Sequence, residues 1–223
     1  MQGKFDVGRE ALKWIAVATM TVDHVGAIFY PGCDVLRIVG RISFPLFSYL
    51  AVLGVETTRD VKKYFTRLLL FGFVSQVPFS LAIGEGFFDH LNIFFTLSFG
   101  VLFVVCLEKR SHWFALPILV SLLNFDYSVY GILLIGSMYV LRKNRETGIA
   151  VVILLNLMFL FEWLLQIFSL LALPIILLYN SGNANKPKEP GRVVYPKWRK
   201  YLFYVYYPLH LTLFYLVKLY FFH

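Results

Sequence analysis

The chain has 223 residues, of which 59% are hydrophobic and only 15% charged. Its mean hydropathy is +0.69. Soluble domains carry about 45–50% apolar residues, and a chain this short cannot hide so large an excess in one core. Disorder, a coiled coil and a disulfide scaffold are excluded on the same composition. The class that remains is an all-α polytopic transmembrane helical bundle. The net charge of +8 does not indicate nucleic-acid binding, because the basic residues form no single patch and alternate with long apolar runs.

A bilayer core of about 30 Å takes about 20 apolar residues per helix. Apolar runs place spans at 11–30, 34–55, 64–83, 92–107, 113–123, 128–141, 147–161, 163–179 and 201–221. That is about nine spans in one transmembrane domain covering 1–223. The runs 113–123 and 128–141 are short and flank the polar turn Asn124-Phe125-Asp126-Tyr127. They are either two full crossings or one re-entrant hairpin. The first run has a basic start, but Asp23 and His24 interrupt it and no small-residue cleavage site follows, so a span is expected there and not a signal peptide. Cys33 and Cys106 fall at different depths and have no metal-binding spacing, so neither a bridge nor a metal site is expected.

With the N-terminus placed in the cytoplasm, the basic residues at 4–13, 59–67, 109–110, 142–145 and 186–200 all fall inside. Those groups hold 18 of the 21 Lys and Arg residues. The loops at 31–33, 84–91, 124–127 and around Glu162 hold none. This is the charge bias of a plasma-membrane protein with its N-terminus inside. It makes 180–200 a cytoplasmic basic loop and puts the C-terminus outside. Lys218 lies near the outer end of the last span and can snorkel. Arg37 and Arg41 remain, inside the second span.

A charge at membrane depth costs roughly 2.5–3.5 kcal/mol on insertion scales and usually faces a bundle interior or a wet cavity. Asp23 and Arg41 each lie about 10 Å from the outer ends of consecutive spans. A short Pro31-Gly32 turn makes those spans antiparallel neighbours, so Asp23 or His24 can meet Arg41. Arg37 and Arg41 are four residues apart and share a helix face. One reading is a structural ion pair. The other is a site, because two arginines against one aspartate leave positive charge for a carboxylate, a phosphate or a developing oxyanion.

His24 is either a structural hydrogen-bonding residue or a general base. Adjacent helix positions point about 100° apart, so Asp23 need not be its partner. In the last span Pro208 interrupts the backbone ladder and His210 lies near mid-membrane, suited to a cavity wall. Gln76 beside Pro78, Asn92 with Thr96, and Asp126 with Tyr127 and Tyr130 together suggest a polar cavity open to the outside. Asp89 and His90 are expected to be solvated in an outer loop.

The runs Leu12-Lys13-Trp14-Ile15-Ala16 through Met20-Thr21-Val22-Asp23-His24-Val25-Gly26-Ala27, and Leu36-Arg37-Ile38-Val39-Gly40-Arg41-Ile42-Ser43-Phe44-Pro45-Leu46-Phe47, resemble the TraX family. So do Ser75-Gln76-Val77-Pro78-Phe79, Leu91-Asn92-Ile93-Phe94-Phe95-Thr96-Leu97 and Tyr207-Pro208-Leu209-His210, in that order. TraX proteins are associated with N-acetylation of conjugative pilin. More distantly the chain is similar to polytopic membrane acyltransferases that modify extracellular glycans, whose embedded histidine and arginines would match His24, Arg37 and Arg41.

The resemblance implies acetyl transfer from acetyl-CoA to an acceptor at the extracytoplasmic face. The acceptor would be the N-terminal amine of a pilin-like protein, or a hydroxyl of a cell-envelope glycan. His24 would be the base, and Asp23 would orient it or tune an arginine. Arg37 and Arg41 would bind the donor's anionic groups or the thioester oxygen. His210, Asn92, Gln76, Asp126 and Tyr130 would line the substrate path. The competing class is a small proton- or anion-coupled transporter using Asp23, Arg41 and His210.

Overall fold

A computed structural model describes residues 7–160, 164–179 and 197–221, with the backbone alone for 7 and 197–200. The described residues are helical throughout, apart from turns and one isolated bridge between Leu91 and Phe125. In chain order they form α1 (Val7–Phe29), α2 (Asp34–Gly40), α3 (Ser43–Thr57), α4 (Val61–Ile83) and α5 (Ile93–Glu108). A 3-10 turn (His112–Phe114) leads into α6 (Ala115–Val120), α7 (Ser128–Lys143) and α8 (Arg145–Met158). A 3-10 stretch (Leu164–Leu171) then runs into α9 (Ala172–Leu178), and α10 is Lys197–Phe221.

Four stretches are long and apolar enough to cross a membrane: Gly8–Phe29, Asp34–Thr57, Val61–Ile83 and Tyr201–Phe221. The third of them, α4, is packed inversely to a helix of a soluble protein. On α4 the apolar side chains of Leu70, Phe73, Val74, Val77 and Leu81 are exposed, whereas Ser75, Gln76 and Ser80 are buried. Asp60 caps α4 by accepting from the Lys63 amide at 3.0 Å, and Gly84 ends it in the left-handed region at φ 89°.

The run 34–55, read from hydropathy as one span, lies within the single stretch Asp34–Thr57 but is broken inside it into two helices. Helix α2 ends at Gly40, and α3 begins at Ser43. Pro45 explains the break. It has no N–H for the carbonyl four residues back, at Arg41, and its ring crowds that carbonyl. In the first turn of α3 the same proline costs little. Arg41 therefore stands on the two-residue corner between two helices.

The stretch 113–123 is not a regular span either, yet it runs the length of α5. Ser111 N–H donates to the Cys106 carbonyl at 2.9 Å, at the C-terminal end of α5. Thirteen residues on, the Leu91 amide donates to the Asn124 carbonyl at 2.9 Å and the Asp126 amide to the Leu91 carbonyl at 2.8 Å, at the N-terminal end. The 16 residues of α5 are about 24 Å long, and the chain retraces that length before α7 turns back.

Helices α1 and α10 lie side by side and parallel. Trp14 meets Phe203, Thr21 meets Tyr206, His24 meets His210 and Phe29 meets Phe214. Residue 197 and residue 7 therefore lie at one end of the bundle and residue 221 at the other. Residues 180–196 of the basic loop, and Glu162, lie outside the described residues.

Candidate functional site

Helices α1 and α2 are brought close by glycines. A Cβ on Gly26 would stand 2.8 Å from Leu36 Cβ, and a Cβ on Gly40 would overlap the Asp23 side chain. This close approach inserts the Asp23 carboxylate between two guanidinium groups. Arg37 Nη1 lies 3.0 Å from Asp23 Oδ2 and also donates to the Asp23 carbonyl at 3.2 Å. Arg41 Nη2 lies 3.7 Å from Asp23 Oδ1.

Arg41 is tied further into the fold. Its Nη1 donates to the Tyr127 hydroxyl and to Gln166 Oε1, each at 3.3 Å. The Tyr127 ring stacks on Phe44 at 4.1 Å between centroids. Behind Gln166 lies a buried polar chain. Gln166 Nε2 donates to the Tyr130 hydroxyl at 3.1 Å, which donates to Asn156 Oδ1 at 3.1 Å, and Ser169 donates to the same oxygen at 2.7 Å. Gln166, Tyr130, Asn156 and Ser169 are all buried, so this chain holds the geometry of Arg41 against apolar surroundings.

The arginines open onto a cavity of about 580 Å³, lined by Arg37, Arg41, His90, Asn124, Phe125, Asp126, Tyr127, Ser128, Leu164, Leu165 and Gln166. Its volume is in the range of small-molecule sites. Asn124, Tyr127 and Ser128 all have positive φ (57°, 61° and 41°) without being glycine. Such strain persists where the surroundings over-determine it; here the bridge to Leu91 and a bond from Thr96 to the Asp126 carbonyl hold the loop. Burial pushes the Asp126 carboxyl up to about 6, against the lowering pull of His90, Arg41 and Arg37.

One residue along α1, about 100° round the helix, His24 faces α10. Its Nδ1 lies 2.9 Å from His210 Nε2. His210 Nδ1 lies 2.9 Å from the Tyr206 carbonyl. The Tyr206 ring stacks on His210 at 4.9 Å, and its hydroxyl meets Thr21 Oγ1 at 2.7 Å. The partner of His24 is thus His210, and Asp23 serves the arginines.

The structure brings Arg37, Arg41 and Asp126 to one cavity, ties Asp23 to the two arginines and pairs His24 with His210; Asp23 and the two histidines are not among the lining residues. It does not bring Gln76 or Asn92 there. Gln76 Nε2 donates to the Phe87 and His90 carbonyls at 2.8 and 2.7 Å, and its Oε1 accepts from Asn92 Nδ2 at 2.7 Å. Asn92 also donates to the Gly72 carbonyl at 2.8 Å and caps α5 through the Phe94 amide at 3.1 Å. These two amides latch the 84–92 loop onto α4 and α5. Tyr130 is wholly buried behind the cavity wall. His90, expected to be solvated, is a lining residue. Gln166 was not singled out from the sequence, although it is the one amide in the apolar run 163–179. Among the described residues no group of three His, Cys, Asp or Glu side chains could hold a metal ion.

The family model described as TraX protein matches residues 8–218. The chain belongs to the TraX family. Among curated relatives, the probable fimbrial assembly protein FimC, serogroup H1, of Dichelobacter nodosus is 27% identical across 96% of this chain and 96% of its own length. Protein TraX of Escherichia coli is 26% identical across 62% of this chain and 58% of its own. No solved structure matches the chain. In this TraX-family chain the described arginine pair, carboxylate and histidine pair all fall within the matched residues.

Proposed function

We propose that the chain is an integral plasma-membrane acetyltransferase. It moves an acetyl group from acetyl-CoA to an acceptor at the extracytoplasmic face, with its N-terminus in the cytoplasm. The observation that carries this reading is a histidine pair one helix position away from a carboxylate-bridged arginine pair, which opens onto a ligand-sized cavity. General-base chemistry and oxyanion stabilisation need those two parts side by side.

In the reaction the acceptor nitrogen attacks the thioester carbonyl carbon. A C–N bond forms and the C–S bond breaks. His24 takes the proton from the nitrogen and returns it to the departing thiolate, so no proton is gained or lost overall. Arg37 and Arg41 share one carboxylate, and their surplus positive charge suits the carbonyl oxygen as it becomes negative. The cavity residues Tyr127, Gln166 and Asp126 would position the acceptor. The relatives' names, a fimbrial assembly protein and TraX, favour the N-terminal amine of a pilin-like protein. A glycan hydroxyl would use the same residues with O in place of N.

The test is direct. The detergent-purified protein should bind acetyl-CoA and, without an acceptor, hydrolyse it slowly to acetate and CoA. A pilin-type peptide with a free N-terminus should accelerate CoA release and gain an acetyl group. Absence of acetyl-CoA binding would remove the enzymatic reading and leave a transport role.

A further inference from the structure

We infer that His210 is a positioning residue that fixes the tautomer of His24 and makes His24 Nε2 the proton-accepting atom. The inference deepens the acetyl-transfer reading and rests on it for the word catalytic. The tautomer itself does not depend on that reading.

A backbone carbonyl can only accept a hydrogen bond. The Tyr206 carbonyl, 2.9 Å from His210 Nδ1, therefore requires the proton on that nitrogen. In the neutral ring the other nitrogen, Nε2, then carries a lone pair. His24 Nδ1 lies 2.9 Å from it, and two lone pairs cannot face each other at that distance. His24 must donate, so its proton sits on Nδ1. Neutral His24 then has its lone pair on Nε2. No hydrogen bond holds that nitrogen among the described residues, and His24 as a residue is not fully buried. A free imidazole in water prefers the opposite tautomer, with the proton on Nε2. The structure overrides that preference through one carbonyl of α10.

The arrangement also handles the charge that a base acquires. When His24 Nε2 takes a proton, the ring becomes an imidazolium whose Nδ1–H already points at the lone pair of His210. Charge spreads across two rings in a place poor in water, where an isolated charge is costly. Three features hold His210 for this task. The Tyr206 ring stacks on it, with an interplanar angle of 13°. The Tyr206 hydroxyl ties α10 to Thr21, one turn below His24. Tyr207 packs edge-on against both histidines, at 5.9 and 5.5 Å.

The experiment is ¹⁵N NMR of the histidine-labelled full chain in detergent, at neutral pH, with His24 assigned by its loss in His24→Ala. Acetyl transfer and acetyl-CoA binding are measured on the same preparations. The expected result is an Nδ1–H tautomer for His24 in the wild type. His210→Leu should return His24 to the Nε2–H form and slow transfer about 10²-fold, with acetyl-CoA binding unchanged. His210→Gln, whose Oε1 can accept from His24 Nδ1–H, should restore the Nδ1–H form and bring the rate within about tenfold of wild type. An Nε2–H signal for His24 in the wild type, which needs no variant to fold, overturns the inference. So does a His210→Leu protein that loses transfer while His24 keeps its Nδ1–H form. If the tautomers are as expected and the wild type transfers no acetyl group, the acetyl-transfer reading fails and the tautomer assignment stands.

Discussion

Gly40 has no room for a side chain because the Asp23 carboxylate fills the space a Cβ would occupy. The glycine on α2 and the acid on α1 are one device: the missing side chain lets the helices touch, and the contact delivers the carboxylate to Arg37 and Arg41. Gly40→Ala forces the helices apart at the site. It should cost about 1–3 kcal/mol, as overpacking does, and weaken acetyl-CoA binding. Gly32→Ala, in a turn where an added Cβ meets nothing within 4 Å, is the control and should change neither. Thermal unfolding and donor binding in detergent measure both.

Asp23 is bracketed by two arginines, and the consequences of substitution follow from that. Arg41→Ala leaves Asp23 still paired with Arg37 at 3.0 Å, so the acid is not orphaned. Asp23→Asn leaves two guanidinium groups facing each other without their shared counter-charge. Breaking a buried ion pair costs about 3–5 kcal/mol, and Asp23→Asn should approach that figure more closely than Arg41→Ala. For activity the order reverses in kind. Arg41→Lys keeps the charge but loses the planar fork that reaches Tyr127 and Gln166 together. Transfer should fall with folding intact, and a fully active Arg41→Lys would show that the fork is not needed. Lys218→Ala should leave transfer unchanged.

The charged half of the site was legible in the sequence because charges are costly at membrane depth and stand out against apolar runs. Asp23, Arg37 and Arg41 were visible for that reason, and their meeting followed from a short turn between consecutive helices. The His24–His210 bond was not legible, since 186 positions separate the partners and no local pattern links them. Hydropathy located most helices but smoothed over the break at 41–42, where only Pro45 gave a signal. It also read 113–123 as a short span or one arm of a re-entrant hairpin, where the chain runs beside α5 as a 3-10 turn, the short helix α6 and turns. Gln76 and Asn92 stand out in the sequence by their polarity in an apolar segment. Polarity alone does not separate an amide facing a cavity from one spent on loop carbonyls.

That distinction is testable. Gln76→Leu strands the carbonyls of Phe87 and His90 and the side chain of Asn92. Leaving buried polar groups unpaired costs roughly 1–3 kcal/mol, so the unfolding temperature should drop. Transfer per folded molecule should stay within about threefold of wild type. Gln166→Leu should do the converse at the cavity, releasing Arg41 Nη1 and lowering donor binding. Equal loss of transfer in both variants at matched folding would put Gln76 back among the substrate contacts.

The orientation of the bundle can be read with a native probe. Cys33 is a free, partly exposed thiol in the turn between α1 and α2, and Cys106 is buried in α5. If the N-terminus is cytoplasmic, one crossing by α1 places Cys33 outside. A membrane-impermeant maleimide added to intact spheroplasts should label the chain, and Cys33→Ser should abolish the signal. Labelling only after permeabilisation would invert the assigned topology.

The central claim is that His24 is the base of an acetyl transfer, and one paired measurement tests it most directly. Acetyl-CoA binding and acetyl transfer to an N-terminal peptide acceptor are compared for the wild type and His24→Ala at matched monodispersity. A general base contributes about 10²–10⁴-fold. The account predicts a fall in transfer of that size with donor binding retained. Transfer by His24→Ala at near wild-type rate would contradict it.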